Sequence, residues 1–118
     1  MSLDVAGKYP QPKFLGQAKP TNTTATPLYS PASGVTGIIR TIFVANSDNN
    51  SHSFTIYFDN TGSLVDTDHI IFPTVAVNGL STVQLDVYIA MNNSAGTLSV
   101  KTNSANNFTF TAFGEELT

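Results

Sequence analysis

The 118-residue chain has no cysteine and no tryptophan, and only 11% of its residues are charged. It also has no stretch near the ~20 consecutive apolar residues that span a bilayer. Without cysteine, disulfides, thiolate chemistry and Cys-based zinc sites are excluded, so stability rests on packing and backbone pairing. Five basic residues against eight acidic ones leave no stripe able to neutralise several phosphates, which argues against nucleic acid as a main ligand. The opening Met1-Ser2-Leu3-Asp4-Val5-Ala6-Gly7-Lys8 has no basic segment leading into an apolar one, so neither a secretory signal nor a membrane anchor is expected. Gly-x-Ser-x-Gly and phosphate-cradling glycine loops are missing as well, and no catalytic site is expected.

Threonine (16), serine (11) and asparagine (11) together make up close to a third of the chain. Such side chains are polar without being charged, and they cost less to desolvate than Lys or Glu. A surface built from them suits a protein that packs against copies of itself or against a larger scaffold. The length is that of one domain, enough to bury roughly two-thirds of the unfolded surface around a single core.

Five of the six prolines (Pro10, Pro12, Pro20, Pro27, Pro31) fall within the first 33 residues, beside the polar run Thr21-Asn22-Thr23-Thr24. Proline fixes φ and removes a donor, so residues 1–25 read as an extended arm, with edge strands near Phe14–Ala18 and Pro27–Ser30. That arm is either a solvated tail or a segment that docks on a neighbouring subunit. Phe14, Leu15, Leu28 and Tyr29 favour docking and are interface candidates, because a solvated tail has no use for them.

Residues 26–118 read as one all-β domain, an antiparallel β-sandwich or jelly roll of about eight strands, since short apolar runs alternate with turn clusters. Ile38–Ala45 is apolar at nearly every position and predicts a central strand buried on both faces. Ser53–Asp59 alternates, with Phe54, Ile56 and Phe58 on one face. Asn46-Ser47-Asp48-Asn49-Asn50-Ser51 predicts a hairpin loop between these two, and Asn78-Gly79 a type I′ hairpin joining Ile70–Val77 to Leu80–Ala90. In the latter strand Val83, Leu85, Val87 and Ile89 face one way, and Thr82, Gln84, Asp86 and Tyr88 the other. Thr97–Thr102 and Asn107–Phe113 complete the set.

Few residues invite chemistry. Asp66, Asp68 and His69 are weak candidates for a cation or proton-transfer cluster if 66 and 68 share one side of a strand end; the plainer reading is a charged turn. His52, at the end of a polar loop, is expected to be solvated. Arg40, alone in an apolar strand, needs a carboxylate, either within its own subunit, with Asp86 as the candidate, or across an interface. Glu115 and Glu116 read as solvated or docked on a partner. No metal or organic cofactor is expected.

The run Leu28-Tyr29-Ser30-Pro31-Ala32-Ser33-Gly34, the strand Gly37–Asn46, the polar loop and Phe54-Thr55-Ile56-Tyr57-Phe58 together resemble the small β-sandwich virion proteins of tailed bacteriophages. The likeness spans roughly residues 26 to 114, with the closing Phe113-Gly114-Glu115-Glu116-Leu117. That group covers head decoration (cement), neck and tail-fibre roles. The resemblance implies a non-enzymatic structural protein in the virion, assembled in the host cytoplasm. It further implies a homo-oligomer, often a trimer, that binds a major capsid or other virion protein but neither membrane nor nucleic acid. A carbohydrate-binding or adhesin-like module is the alternative of another class, with Tyr9, Tyr29, Tyr57 and Tyr88 as exposed aromatics, although a tryptophan platform is lacking.

Overall fold

A computed structural model of the chain describes residues 12–61 and 67–118. It contains eight strands: β1 (Lys13–Ala18), β2 (Thr26–Tyr29), β3 (Thr36–Asn46), β4 (His52–Asp59), β5 (Ile70–Val77), β6 (Ser81–Met91), β7 (Thr97–Thr102) and β8 (Phe108–Leu117). One 3₁₀ turn, Thr67–His69, precedes β5. All pairings are antiparallel, in a first sheet of order β1-β8-β3-β6 and a second of order β2-β7-β4-β5. The all-β sandwich expected from the alternation is therefore the fold.

The pairs β1·β8, β2·β7, β3·β6 and β4·β5 are nested one inside the next. A long antiparallel hairpin rolled over on itself has this connectivity, and the result is a jelly roll. Only β4 and β5 are both consecutive in the chain and members of one sheet. Both expected hairpins are thus corrected. The loop between β3 and β4 and the Asn78-Gly79 turn each carry the chain from one sheet to the other. Nor do Asn78 and Gly79 have the positive φ that a type I′ turn demands; that conformation falls on Leu80, at φ 54°. Gly79 serves a different need, because a Cβ there would run into the backbone of Asn49.

β1 lies within the stretch that the prolines marked as an arm. Its partner is β8 of the same chain, with Phe14 opposite Phe113. The arm's residues 1–11 lie outside the described residues.

Alternation along β6, along β8 as far as Gly114 and along the first half of β4 turns one row of each inward; in β4 it breaks at Ile56 and Tyr57, which are both buried. Phe54 from the second sheet meets Phe108 and Phe110 from the first, edge to face, with ring centroids 6.1 and 5.6 Å apart. Such ring pairs contribute about 0.5–1.5 kcal/mol each beyond their area. Ile39, Ile42, Val44, Ile56, Met91, Leu98 and Val100 fill the space around them without solvent contact. β3 is central, but it is buried on one face only: Arg40 and Phe43 are exposed, which corrects the expectation of a strand covered on both sides. A continuous apolar run does not show which of its residues will face water.

At one end of the sandwich the crossing loops must satisfy their own backbone groups. Asn46, 2% exposed, does this. Its Nδ2 donates to the carbonyls of Asn50 (2.9 Å), Val77 (3.1 Å) and Asn78 (3.3 Å), and its Oδ1 accepts the Asp48 N–H at 3.0 Å. The Leu80 N–H adds a bond to the Asp48 carbonyl at 2.9 Å. One asparagine thus ties the β3–β4 crossing to the β5–β6 crossing. Asn46→Leu, which orphans these groups in a dry site, is expected to destabilise the fold by roughly 2–4 kcal/mol. A urea titration should show this as a lowered midpoint with an unchanged slope.

Candidate functional site

The outer face of the first sheet departs from the usual pattern of polar groups toward water. Phe14 of β1, Phe113 of β8 and Phe43 of β3 stand there in a row, 54%, 38% and 36% exposed. Adjacent rings meet edge to face, Phe14 to Phe113 at 6.2 Å and Phe43 to Phe113 at 5.9 Å. The strand registers bring them together, since Phe14 pairs with Phe113 and Phe43 lies beside Thr111 on the next residue pair along. Thr111, which accepts a 2.9 Å bond from Gln17 Nε2, continues the row without a charge. Clustered exposed aromatics on an otherwise polar surface mark an interaction site, because water gains when they are covered.

At one end of the row β3 shifts register against both neighbours between Ile39 and Thr41. Ile38 and Ile39 are both buried beside this irregularity, while Arg40 is left outward. Its Nη1 lies 3.4 Å from Glu115 Oε1, and its guanidinium carbon is 5.5 Å from the centroid of the Tyr88 ring. Arginine therefore finds its carboxylate within the subunit, but it is Glu115; Asp86 instead accepts a 3.0 Å bond from Gln84 Nε2. A groove of about 460 Å³ runs beside Phe113, bounded by Pro12, Arg40, Asp86 and Glu115.

Of the interface candidates, Phe14 belongs to the row and is the most exposed of its three rings. Leu15 is half-buried against the core, and Leu28 and Tyr29 lie inside it at 6% and 7% exposure, so these two are corrected to core residues of their own subunit. Tyr29 crosses from the second sheet to the first, where its ring takes the space left by the absent side chain of Gly37. Its hydroxyl donates to Glu116 Oε2 at 2.6 Å, and Lys13 Nζ holds Glu116 Oε1 at 2.8 Å. Lys13, followed by the Tyr29 hydroxyl, keeps the Glu116 carboxyl below its ordinary value. Burial, followed by the neighbouring carboxylate, pushes the Tyr29 phenol up. Phe43 and Phe113 were missed in the sequence. The signal was present, because they alternate with inward Ile42, Val44 and Ala112.

The other candidates disperse. Asp66 lies outside the described residues. Asp68 and His69 belong to the 3₁₀ turn Thr67–His69 and not to a strand end. His69 Nε2 lies 3.8 Å from Oδ1 of buried Asp59, and Asp68 is exposed. Among the described residues, no three His, Cys, Asp or Glu side chains are grouped to hold a metal ion. His52, expected in solvent, is partly buried: Nε2 sits 2.6 Å from Asp48 Oδ2 and the ring lies edge to face against Phe108. That bond is the main reason the Asp48 carboxyl is lowered. Tyr57 is buried, Tyr88 is exposed beneath Arg40, and Tyr9 lies outside the described residues.

No family model matches the chain, and no curated protein matches it. Among solved structures it has a similarity to one described as the structure of infectious bursal disease virus Gt strain, at 15% identity and a TM-score of 0.29. The match covers 91% of this chain and 32% of that chain, so the chain spans about a third of that length. A likeness this slight carries no argument about function.

The Tyr29–Glu116–Lys13 contact sets a pH dependence whose sign follows from the two shifts. A carboxyl lowered on folding stabilises the fold above its unfolded value, and that contribution is lost as pH falls through the folded one. A phenol raised on folding stabilises below its unfolded value of about 10, and that contribution is lost as pH rises past it. Thermal melts from acid to alkaline pH should show Glu116→Gln flattening the acid limb and Tyr29→Phe the alkaline limb. At neutral pH the Gln variant should cost about 1 kcal/mol, a figure already reduced for solvent screening.

Proposed function

We propose that this chain is a non-enzymatic structural protein of a virus particle, acting by packing rather than turnover. The observation that carries the reading is the row Phe14, Phe113 and Phe43 on the outer face of the first sheet, which no part of the described chain covers. On one side Thr111 and Gln17 extend the row without charge, and on the other Arg40 already pairs with Glu115 within the subunit, so a copy of the chain or a shell protein that covers the rings meets neutral donors at one end and a compensated ion pair at the other. The jelly roll itself is a shape that capsid domains share with lectins, and it weighs equally for both.

The finer reading is a capsid decoration, or cement, protein of a tailed phage, working as a homotrimer on the assembled head. A neck, tail or fibre accessory is the alternative. In the cement role the protein binds only the assembled shell and so stabilises it by mass action. Particles lacking it should rupture at lower temperature, and unchanged survival on heating would remove the cement role.

The docking face is tested by light scattering. Each ring of the row, already partly buried, gains about 1 kcal/mol when a partner covers the remainder. Phe43→Ser with Phe113→Ser should therefore weaken self-association, or binding to shells, about thirty-fold while leaving the circular dichroism unchanged. Equal binding by the double variant would overturn this face as the assembly surface.

A further inference from the structure

The second sheet carries a groove of a different kind. It is about 360 Å³, open to solvent, and lies on the side of the sandwich opposite the aromatic row. The outward positions of β4 and the end of β7 line it: Ser53, Thr55 and Tyr57 from the one, Lys101 and Asn103 from the other. Thr55 is the direct cross-strand partner of Lys101.

Two features separate this groove from ordinary sheet surface. Lys101 makes no ion pair or hydrogen bond among the described residues, and no carboxylate lines the groove. Lys101 is also the one Lys or Arg of the second sheet's described strands. Second, the far wall is a bulge in β5, where Pro73 and Thr74 oppose Thr55 alone. Thr74 is held at φ 37°, a conformation that β-branched residues rarely adopt. Its N–H donates to Thr55 Oγ1 at 3.3 Å. The Asn103 side chain is positioned too, since its Oδ1 accepts the Ser53 N–H at 3.0 Å, which leaves its Nδ2 free to donate. Tyr57 is 8% exposed, yet it lines the groove.

We propose that this groove binds an anionic sugar residue, with the Lys101 ammonium on the acidic group and the hydroxyl and amide side chains on the ring hydroxyls. A single cation is too few for a phosphate backbone, whose binding scales with the number of charges neutralised. A lining of neutral donors and acceptors matches instead a ligand that carries one charge among many hydroxyls, and Pro73 with Ile70 offers an apolar wall to the C–H face of a sugar. The acidic group is either a carboxylate or a sulfate; the site chemistry is the same for both. This inference does not depend on the assembly role, because the two faces belong to different sheets.

The test titrates the full chain, followed by ¹H–¹⁵N NMR, with four probes: hyaluronan hexasaccharide (carboxylate), chondroitin sulfate hexasaccharide (carboxylate and sulfate), maltohexaose (neutral) and inorganic sulfate. At least one acidic hexasaccharide should shift the amides of Thr55, Lys101 and Asn103, at concentrations where maltohexaose shifts none of them. Lys101→Gln should weaken that binding at least tenfold, and Phe43→Ser should leave it unchanged. Response to both acidic probes identifies a site satisfied by carboxylate, and response to the sulfated one alone a site for sulfate. The proposal is overturned if neither acidic probe binds at millimolar concentration, if Lys101→Gln binds as well as the wild type, or if inorganic sulfate binds as tightly as the hexasaccharides.

Discussion

The edge-to-face contact of Phe54 with Phe108 and Phe110 is the constraint on which the rest of the molecule depends. It joins the central strand β4 of one sheet to β8 of the other, and with no cysteine in the chain no covalent link can replace it. Once these rings fix which faces of β4 and β8 look inward, pleating fixes the opposite faces as well. Phe113 is five residues from Phe108, an odd step along a strand, and so it is turned toward water by the same pattern that buries Phe108 and Phe110. The core and the exposed aromatic row are two faces of a single register.

Most strands were legible in the sequence because alternation is a local property. β4 and β6 show their inner rows at a glance, and β7 begins and ends where its turn residues say. Pairing was less legible. Asn46–Ser51 and Asn78-Gly79 have the composition of hairpin turns, yet turn residues report only that the chain reverses, not whether the next strand stays in its sheet. What decided the matter was tertiary: Asn46 bonding to the carbonyls of Val77 and Asn78, 31 and 32 residues further along the chain and beyond any local rule. β3 misled for a related reason, since Phe43 and Ile42 are equally apolar and only the neighbouring strands tell them apart.

The candidate site was half legible. Phe14 stood out because it sat in a proline-rich stretch without an obvious core, and the same reasoning swept in Leu28 and Tyr29. Tyr29 is interior because Gly37 leaves room for its ring and Glu116, 87 residues away in the chain, supplies an acceptor for its hydroxyl; Leu28 beside it joins the same core. Arg40 was correctly read as needing a carboxylate, but alternation could not choose between Asp86 on one flanking strand and Glu115 on the other. Strand order was needed for that, and strand order is the quantity periodicity does not carry.

The nested pairing also dictates an order of events as the chain folds. β4·β5 closes the shortest loop, and β3·β6, β2·β7 and β1·β8 close successively longer ones, each costing more chain entropy unless the inner pair has already formed. β1 is therefore the last strand to seat, and Phe14 the last ring to join the aromatic row. A half-folded chain lacks the complete row, so the surface by which this protein would recognise a partner also serves as a report that its own folding is finished.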